Sequence, residues 1–158
     1  LAALNRLCRQ YDLPVIVSTH PRTRERLSRL PEQHLHPQIR FLKPFGYHDY
    51  VHLQRQARCT LSDSGTISEE SAILGFPAVT FRNATERPEA LDSGHIVLTG
   101  LDEDVILDAV RLVIANREAA GQHPIPAEYT IANTSFRVVR LILGTARLSH
   151  LWDGIVTA

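Results

Sequence analysis

Methionine is absent from the sequence and its first residue is Leu1, so the chain is expected to be a piece of a longer protein. Cysteine is scarce. Cys8 and Cys59 are the two thiols, one in a helical pattern and one entering a strand pattern, which points to reduced core residues rather than a disulfide framework. Charge of one sign is missing as well: Lys plus Arg and Asp plus Glu both number 17. Without a net field the chain is not drawn to nucleic acid or to an anionic membrane, and any anion site has to be local. No apolar run approaches the roughly 18–20 residues that span a bilayer, and no charged-then-apolar leader opens the chain. A cytoplasmic protein without a membrane partner is therefore expected. The eight histidines, at positions 20, 34, 36, 48, 52, 95, 123 and 150, have neither HExxH nor paired Cys/His spacing; no metal and no cofactor is assigned.

What is present is an alternation of short apolar runs with helical patterns. One domain over residues 1–158 is the expectation from length. Leu1, Leu4, Leu7, Cys8 and Tyr11 recur at helical spacing before Pro14 breaks the pattern, and Val15-Ile16-Val17 follows as a β-branched run. Arg22 to Leu30 reads as a short, basic, mostly exposed helix ending before Pro31, and Ile39 to Leu42 as the next strand. Tyr50, Val51, Leu53 and Ala57 mark a helix over 47–57 that delivers a strand at Cys59 to Ser62. Thr66 with Glu69 fits a capping box at the start of a helix that Gly75 and Pro77 stop. Strands at Ala78 to Phe81 and His95 to Leu98, a helix from about Asp102 to Asn116, a loop over Gly121 to Pro126 and a last helix near Ser135 to Leu148 complete the series. Such alternation predicts a Rossmann-like α/β fold, a parallel sheet with helices on both faces.

In such a sheet ligands bind beyond the C-terminal strand ends, where backbone N–H groups point outward at helix starts. Ser62-Asp63-Ser64-Gly65-Thr66 lies at such an end. Ser64 offers a hydroxyl, Gly65 permits close backbone approach, and the N–H groups of Gly65 and Thr66 suit a phosphate or diphosphate. Glu70, one turn on, is placed to accept hydrogen bonds from sugar hydroxyls such as those of a ribose. The same residues also fit an ordinary helix cap with solvated first-turn carboxylates, since Ser, Thr and Glu stabilise any helix start. Arg87, followed by Pro88, fits either a surface residue or a phosphate clamp.

The run SDSGTISEESAILGFPAVTFRNATERPEALDSGHIVLTG, from Ser62 to Gly100, carries a DSGG-like turn, a paired-Glu helix, a Gly-x-Pro break and a TERPEA loop, in that order. This resembles the bacterial non-hydrolysing UDP-N-acetylglucosamine 2-epimerases. The resemblance implies one half of a glycosyltransferase-B-like architecture, two Rossmann-like domains with the active site between them. It further implies that Ser64, Gly65 and Thr66 hold a UDP-sugar's diphosphate, that Glu70 binds the ribose, and that Arg87 contacts the phosphates. Tyr50 aligns with a position whose backbone pairs with uracil, and His20 with a cleft-facing histidine. His20 equally fits a loop residue capping a strand end. Thr66 stands where the commonest members have a second glycine, and the SDSGTISEES wording is most similar to the branch forming UDP-N-acetylfucosamine.

The family's chemistry is anti elimination of UDP to a glycal, then re-addition with opposite configuration at C2. Its catalytic carboxylates lie in the N-terminal domain and a further His in an HRRE-like motif upstream of Leu1, so no catalytic residue is assigned in this chain. Asp63, Glu69 and Glu86 are expected to make loop and helix-cap hydrogen bonds. A UDP-sugar, the missing N-terminal domain in cis and a homodimer of the longer protein are the implied partners. The C-terminal domain of a glycosyltransferase and a non-catalytic nucleotide-sugar-binding module are the alternatives; the TERPE wording argues against the first.

Overall fold

A computed structural model describes residues 1–29, 35–120 and 124–152. The expected helix end at Leu30 and Pro31 and the first part of the loop, residues 121–123, lie outside the described residues. The chain divides into two compact units, one ending at Pro126 and the other beginning at Ala127.

In the first unit five strands, β1 (Val15–Ser18), β2 (Ile39–Leu42), β3 (Thr60–Ser62), β4 (Ala78–Thr80) and β5 (Ile96–Leu98), alternate with helices α1 (Ala2–Tyr11), α2 (Pro21–Ser28), α3 (Tyr47–Gln56), α4 (Ile67–Leu74), α5 (Pro88–Asp92) and α6 (Glu103–Ala120). Every ladder is parallel, as the alternation predicts. The strands form two hydrogen-bonded groups, however, β1 with β2 and β4 between β3 and β5. In the larger group Thr60, Ala78 and Ile96 are in register, as are Ser62, Thr80 and Leu98. The three C-terminal strand ends therefore lie on one edge, and the loops that follow them are neighbours.

Successive residues of a strand face opposite sides of the sheet. Ala78, Val79 and Thr80 are all buried, so helices cover both faces at β4. One face meets α6, whose buried Ile106, Leu107, Ala109, Val110 and Ile114 recur at helical spacing and pack with Val79 and with Leu7 of α1. Asp102 starts this helix, its Oδ1 accepting from the N–H groups of Asp104 and Val105 at 3.0 Å. The α4 helix, against β4 and β5, buries Ile67, Ser68, Ser71 and Ala72. Three of these are small, which lets the helix lie close to the sheet, and the Ser71 hydroxyl is satisfied by donating to the carbonyl of Ser68. Gly75 ends α4 at φ 69°, a left-handed geometry that glycine adopts most readily, with its N–H on the carbonyl of Ser71.

Two expectations are corrected. Thr66 makes no side-chain cap bond and sits in helical geometry, so the capping box with Glu69 does not form; both side chains are engaged elsewhere, as described below. In the second unit the last helix is not continuous to Leu148. A single 3₁₀ turn (Ala127–Thr130) precedes α7 (Thr134–Thr145), and α8 (Ser149–Trp152) follows after a turn. Asn133 begins α7 at φ 60°, a conformation asparagine tolerates better than other residues with a Cβ. Among the described residues no helix is long and apolar enough to cross a membrane.

Cys8 is buried and Cys59 partly buried, both as free thiols. Cys59 packs against the α6 core, and removal from water pushes its thiol from its ordinary 9.0 up to about 12. A group whose folded pKa is raised stabilises fully below its unfolded pKa and loses that contribution as pH climbs toward the folded value. Cys59 is thus expected to remain unmodified by thiolate-directed reagents in the native chain at pH 8 and to react once urea unfolds it. Between pH 9 and pH 10.5 its share of stability should fall by about 1–2 kcal/mol, and Cys59→Ala should remove that part of the alkaline decline in urea midpoint.

Candidate functional site

The loop after β3 and the loop after β4 meet at the C-terminal edge of the sheet. Phe81 N–H donates to the carbonyl of Ser62 at 3.2 Å, and Gly100 N–H to that of Arg82 at 3.0 Å, tying the three loops together. Ser62 is buried, and its Oγ accepts from the N–H of Ser64 at 3.0 Å, which folds the chain into the turn before α4.

Ser64, Gly65 and Thr66 form the turn at the start of α4. Ser64 and Thr66 are exposed, and their hydroxyls are 3.0 Å apart, so the threonine that replaces the expected second glycine is tied back to Ser64. The first N–H groups of a helix have no partner within it, and the macrodipole makes this end electropositive. Gly65 does not adopt a positive φ. What its lack of a side chain permits is approach: a Cβ there would lie 2.8 Å from Nη1 and 3.1 Å from Cζ of Arg87.

Arg87 enters from the loop that precedes α5. Its N–H donates to Thr85 Oγ1 at 3.2 Å, and Pro88 fixes the backbone at the first position of α5. Its guanidinium Nε donates to Glu69 Oε1 at 2.5 Å, and both side chains are about 30% exposed, at 29% and 33%. Glu86 lies on the other side. Its carboxylate takes two bonds from Arg82, at 2.9 and 3.0 Å, and a longer one of 3.4 Å from Arg87 Nη1; the Arg82 bonds hold the Glu86 pKa below the usual carboxylate range. Glu69 and Glu86 thus serve the two arginines. For Glu69 this replaces the helix-cap role expected from sequence.

Glu70 faces a different neighbour. Its Oε2 accepts from Gln54 Nε2 of α3 at 2.8 Å. Tyr50, one turn before Gln54, is half-buried, and its phenol pKa is raised, by loss of water first and then by the charges of Glu70 and Asp63. Tyr50, Gln54, Asp63 and Glu70 therefore share one region beside the turn.

The structure brings Ser64, Gly65, Thr66 and Arg87 together, and Tyr50 with Glu70. His20 stands apart in its polar contacts. It is exposed after β1 and acts as the N-cap of α2, with Nδ1 accepting from the N–H of Arg22 at 3.3 Å, a local capping role. Arg82 and Gln54 were not legible as site residues. Arg82 has the signal of an i, i+4 pair with Glu86 in the same loop as Arg87; Gln54 has none, because a polar residue amid an apolar helical pattern is ordinarily solvent-facing. Among the described residues no group of three or more His, Cys, Asp or Glu side chains is placed to hold a metal ion.

A sequence model of the UDP-N-acetylglucosamine 2-epimerase family matches residues 1–143. A UDP-N-acetylglucosamine 2-epimerase of Methanococcus maripaludis is 35% identical over 124 residues, covering 74% of this chain and 33% of the relative. The solved UDP-N-acetylglucosamine 2-epimerase of Rickettsia bellii is 38% identical with a TM-score of 0.78, over 94% of this chain and 41% of that one. The Methanocaldococcus jannaschii UDP-GlcNAc 2-epimerase, solved in complex with UDP-GlcNAc and UDP, gives 28% identity and a TM-score of 0.73 over 90% of this chain and 39% of that one. The chain thus spans about a third to two-fifths of the length of these relatives. Parallel strands under helices and this likeness place it in the glycosyltransferase-B-like architecture. With nine-tenths of its residues inside the family's sequence model and a TERPE loop folded against the DSG turn, the chain belongs to the UDP-N-acetylglucosamine 2-epimerase family.

Proposed function

We propose that this chain is the nucleotide-sugar-binding half of a 2-epimerase, with the diphosphate of a UDP-sugar held between the start of α4 and Arg87. The observation that carries it is the guanidinium of Arg87 lying against Gly65, fixed there by Glu69. Backbone N–H groups, two exposed hydroxyls and a guanidinium then converge at the turn, a donor set suited to a phosphate. Glu70 receives the ribose hydroxyls, and the backbone of Tyr50 pairs with the uracil. His20 is the outlying member, reaching the sugar or a second nucleotide-sugar.

In the elimination that the family resemblance implies, a base removes the proton at C2, the C1–O bond breaks, and its electron pair leaves on the β-phosphate of UDP. Charge therefore grows on the diphosphate as the glycal forms. Arg87 and the α4 N-terminus are placed to stabilise that charge, and to hold UDP for return to C1 with the proton delivered to the opposite face of C2. The acid and base groups belong to the remainder of the protein, which closes the cleft and excludes water from the glycal; a homodimer of the complete protein is part of the same reading. Thr66 and the SDSGT wording favour a 6-deoxy N-acetylhexosamine, as in the UDP-N-acetylfucosamine-forming branch, over UDP-N-acetylglucosamine itself.

Calorimetric titration with UDP checks the site. Arg87→Ala is expected to weaken binding by about 10–100-fold, the loss typical of hydrogen bonds to a charged group; unchanged affinity would refute the assignment. Gly65→Ala should weaken UDP by about tenfold through displacement of the guanidinium, while changing the melting temperature by only a few degrees because the turn needs no positive φ. The 158-residue chain alone is expected to show no epimerase turnover with either UDP-N-acetylglucosamine or its 6-deoxy analogue, assayed by chromatography of the products. Turnover would place the acid and base groups within these residues.

A further inference from the structure

The apolar pattern of α3 is carried by Tyr50, Val51 and Leu53, yet the buried residue of the helix is Gln54, 3% exposed. Its Nε2 donates across to Glu70 Oε2 at 2.8 Å, while its Oε1 is buried with no hydrogen-bond partner among the described residues. An unpaired buried carbonyl destabilises the folded chain, and a methionine of similar length would fill the same space without that loss. Packing therefore does not account for the amide. Its described hydrogen bond is to Glu70.

That bond has a particular chemistry. A carboxylate offers about four acceptor positions on two oxygens, and Gln54 takes one of them on Oε2. The amide is neutral, so it fixes the orientation of Glu70 without forming an ion pair, and the negative charge remains for uncharged donors. Arg87 beside it is treated differently, with Glu69 supplying a full counter-charge. A carboxylate fixed by a neutral partner through one of its acceptor positions matches a pair of neighbouring hydroxyls.

We propose that Gln54 is a positioning residue that determines ribose specificity: it holds the Glu70 carboxylate in the single orientation that accepts from the 2′- and 3′-hydroxyls of the nucleotide. The inference rests on the ribose role proposed for Glu70. Gln54 itself touches no substrate. Its effect is confined to ligands that carry those hydroxyls, and it opposes stability, two properties that a merely structural side chain does not combine.

Titration calorimetry of the chain with UDP and with 2′,3′-dideoxy-UDP, on the unsubstituted protein, Gln54→Met, Glu70→Ala and the double variant, separates the possibilities. Gln54→Met is expected to weaken UDP by about tenfold, to leave the dideoxy nucleotide within about twofold, and to melt at the same or a higher temperature. In the Glu70→Ala background Gln54→Met should have no further effect on UDP, the coupling that a double-mutant cycle reads. Gln54→Leu serves the same comparisons if methionine disturbs folding. Equal loss for both nucleotides, or a Gln54→Met loss that persists without Glu70, would overturn the positioning role while leaving the ribose role intact. Undiminished UDP binding by Glu70→Ala would instead remove the ribose role, and this inference with it.

Discussion

The carboxylate of Glu69 holds the guanidinium of Arg87 by its Nε edge, and the form of the site depends on that contact. Arg87 comes from a loop eighteen positions further along the chain, and a long side chain on a loop has several rotamers to choose from. The pairing selects the one in which Nη1 lies over the turn at Gly65. An exposed ion pair would do little, since water screens it and ordering two side chains costs entropy. Here both partners are about two-thirds buried and the pair is anchored on a helix that is itself packed on the sheet, so the interaction acts on geometry more than on stability. Without it the turn would still fold, because Ser62 and the α4 packing shape the turn independently of Arg87.

Glu69 and Glu70 are adjacent in sequence but point about 100° apart on a helix. One meets the loop before α5, the other meets α3. The helix can present both only because its buried side is made of small residues that bring it close to β4 and β5, leaving its first turn level with the C-terminal strand ends. The register of Ser62, Thr80 and Leu98 then places the two loops side by side. The sequence of dependence runs from the parallel ladder, to the close-packed helix, to two carboxylates facing opposite neighbours, and finally to a guanidinium and a carboxylate that flank one turn.

The parallel strands were legible because each is a short apolar run bounded by Gly, Pro or a helical pattern; Ile39 to Leu42 matches residue for residue, and each of the other four strands differs by one residue at one end. The turn at Ser64 to Thr66 and the proximity of Arg87 were legible only through the order of motifs from Ser62 to Gly100, since spacing alone favoured a plain helix cap. Besides Arg82, three things were not legible. The capping box failed because Glu69 has a stronger partner in Arg87 than in the Thr66 N–H, and no local rule weighs a residue 18 positions away. Gln54 escaped notice because its burial is decided by Glu70 on another helix. The break near Ala146 in the last helix has no strong stop signal beyond Gly144, which α7 accommodates within its last turn.

A chain with no net charge is compatible with the proposed anion site because its charges are grouped in pairs with unequal surroundings. Arg6 with Asp104 and Arg111 with Asp108 are exposed pairs of the kind that water screens. Around the turn, arginines 82 and 87 are paired with glutamates 86 and 69, Asp63 and Glu70 lie beside them, and the positive groups are the Arg87 guanidinium over Gly65 and the α4 N-terminus. There is no surplus of positive charge there, and these groups act over a few ångströms rather than across the surface. Such a site gains little from long-range steering. Its selectivity has to come from directional hydrogen bonds, which is why the orientation of each charged side chain matters more here than their number.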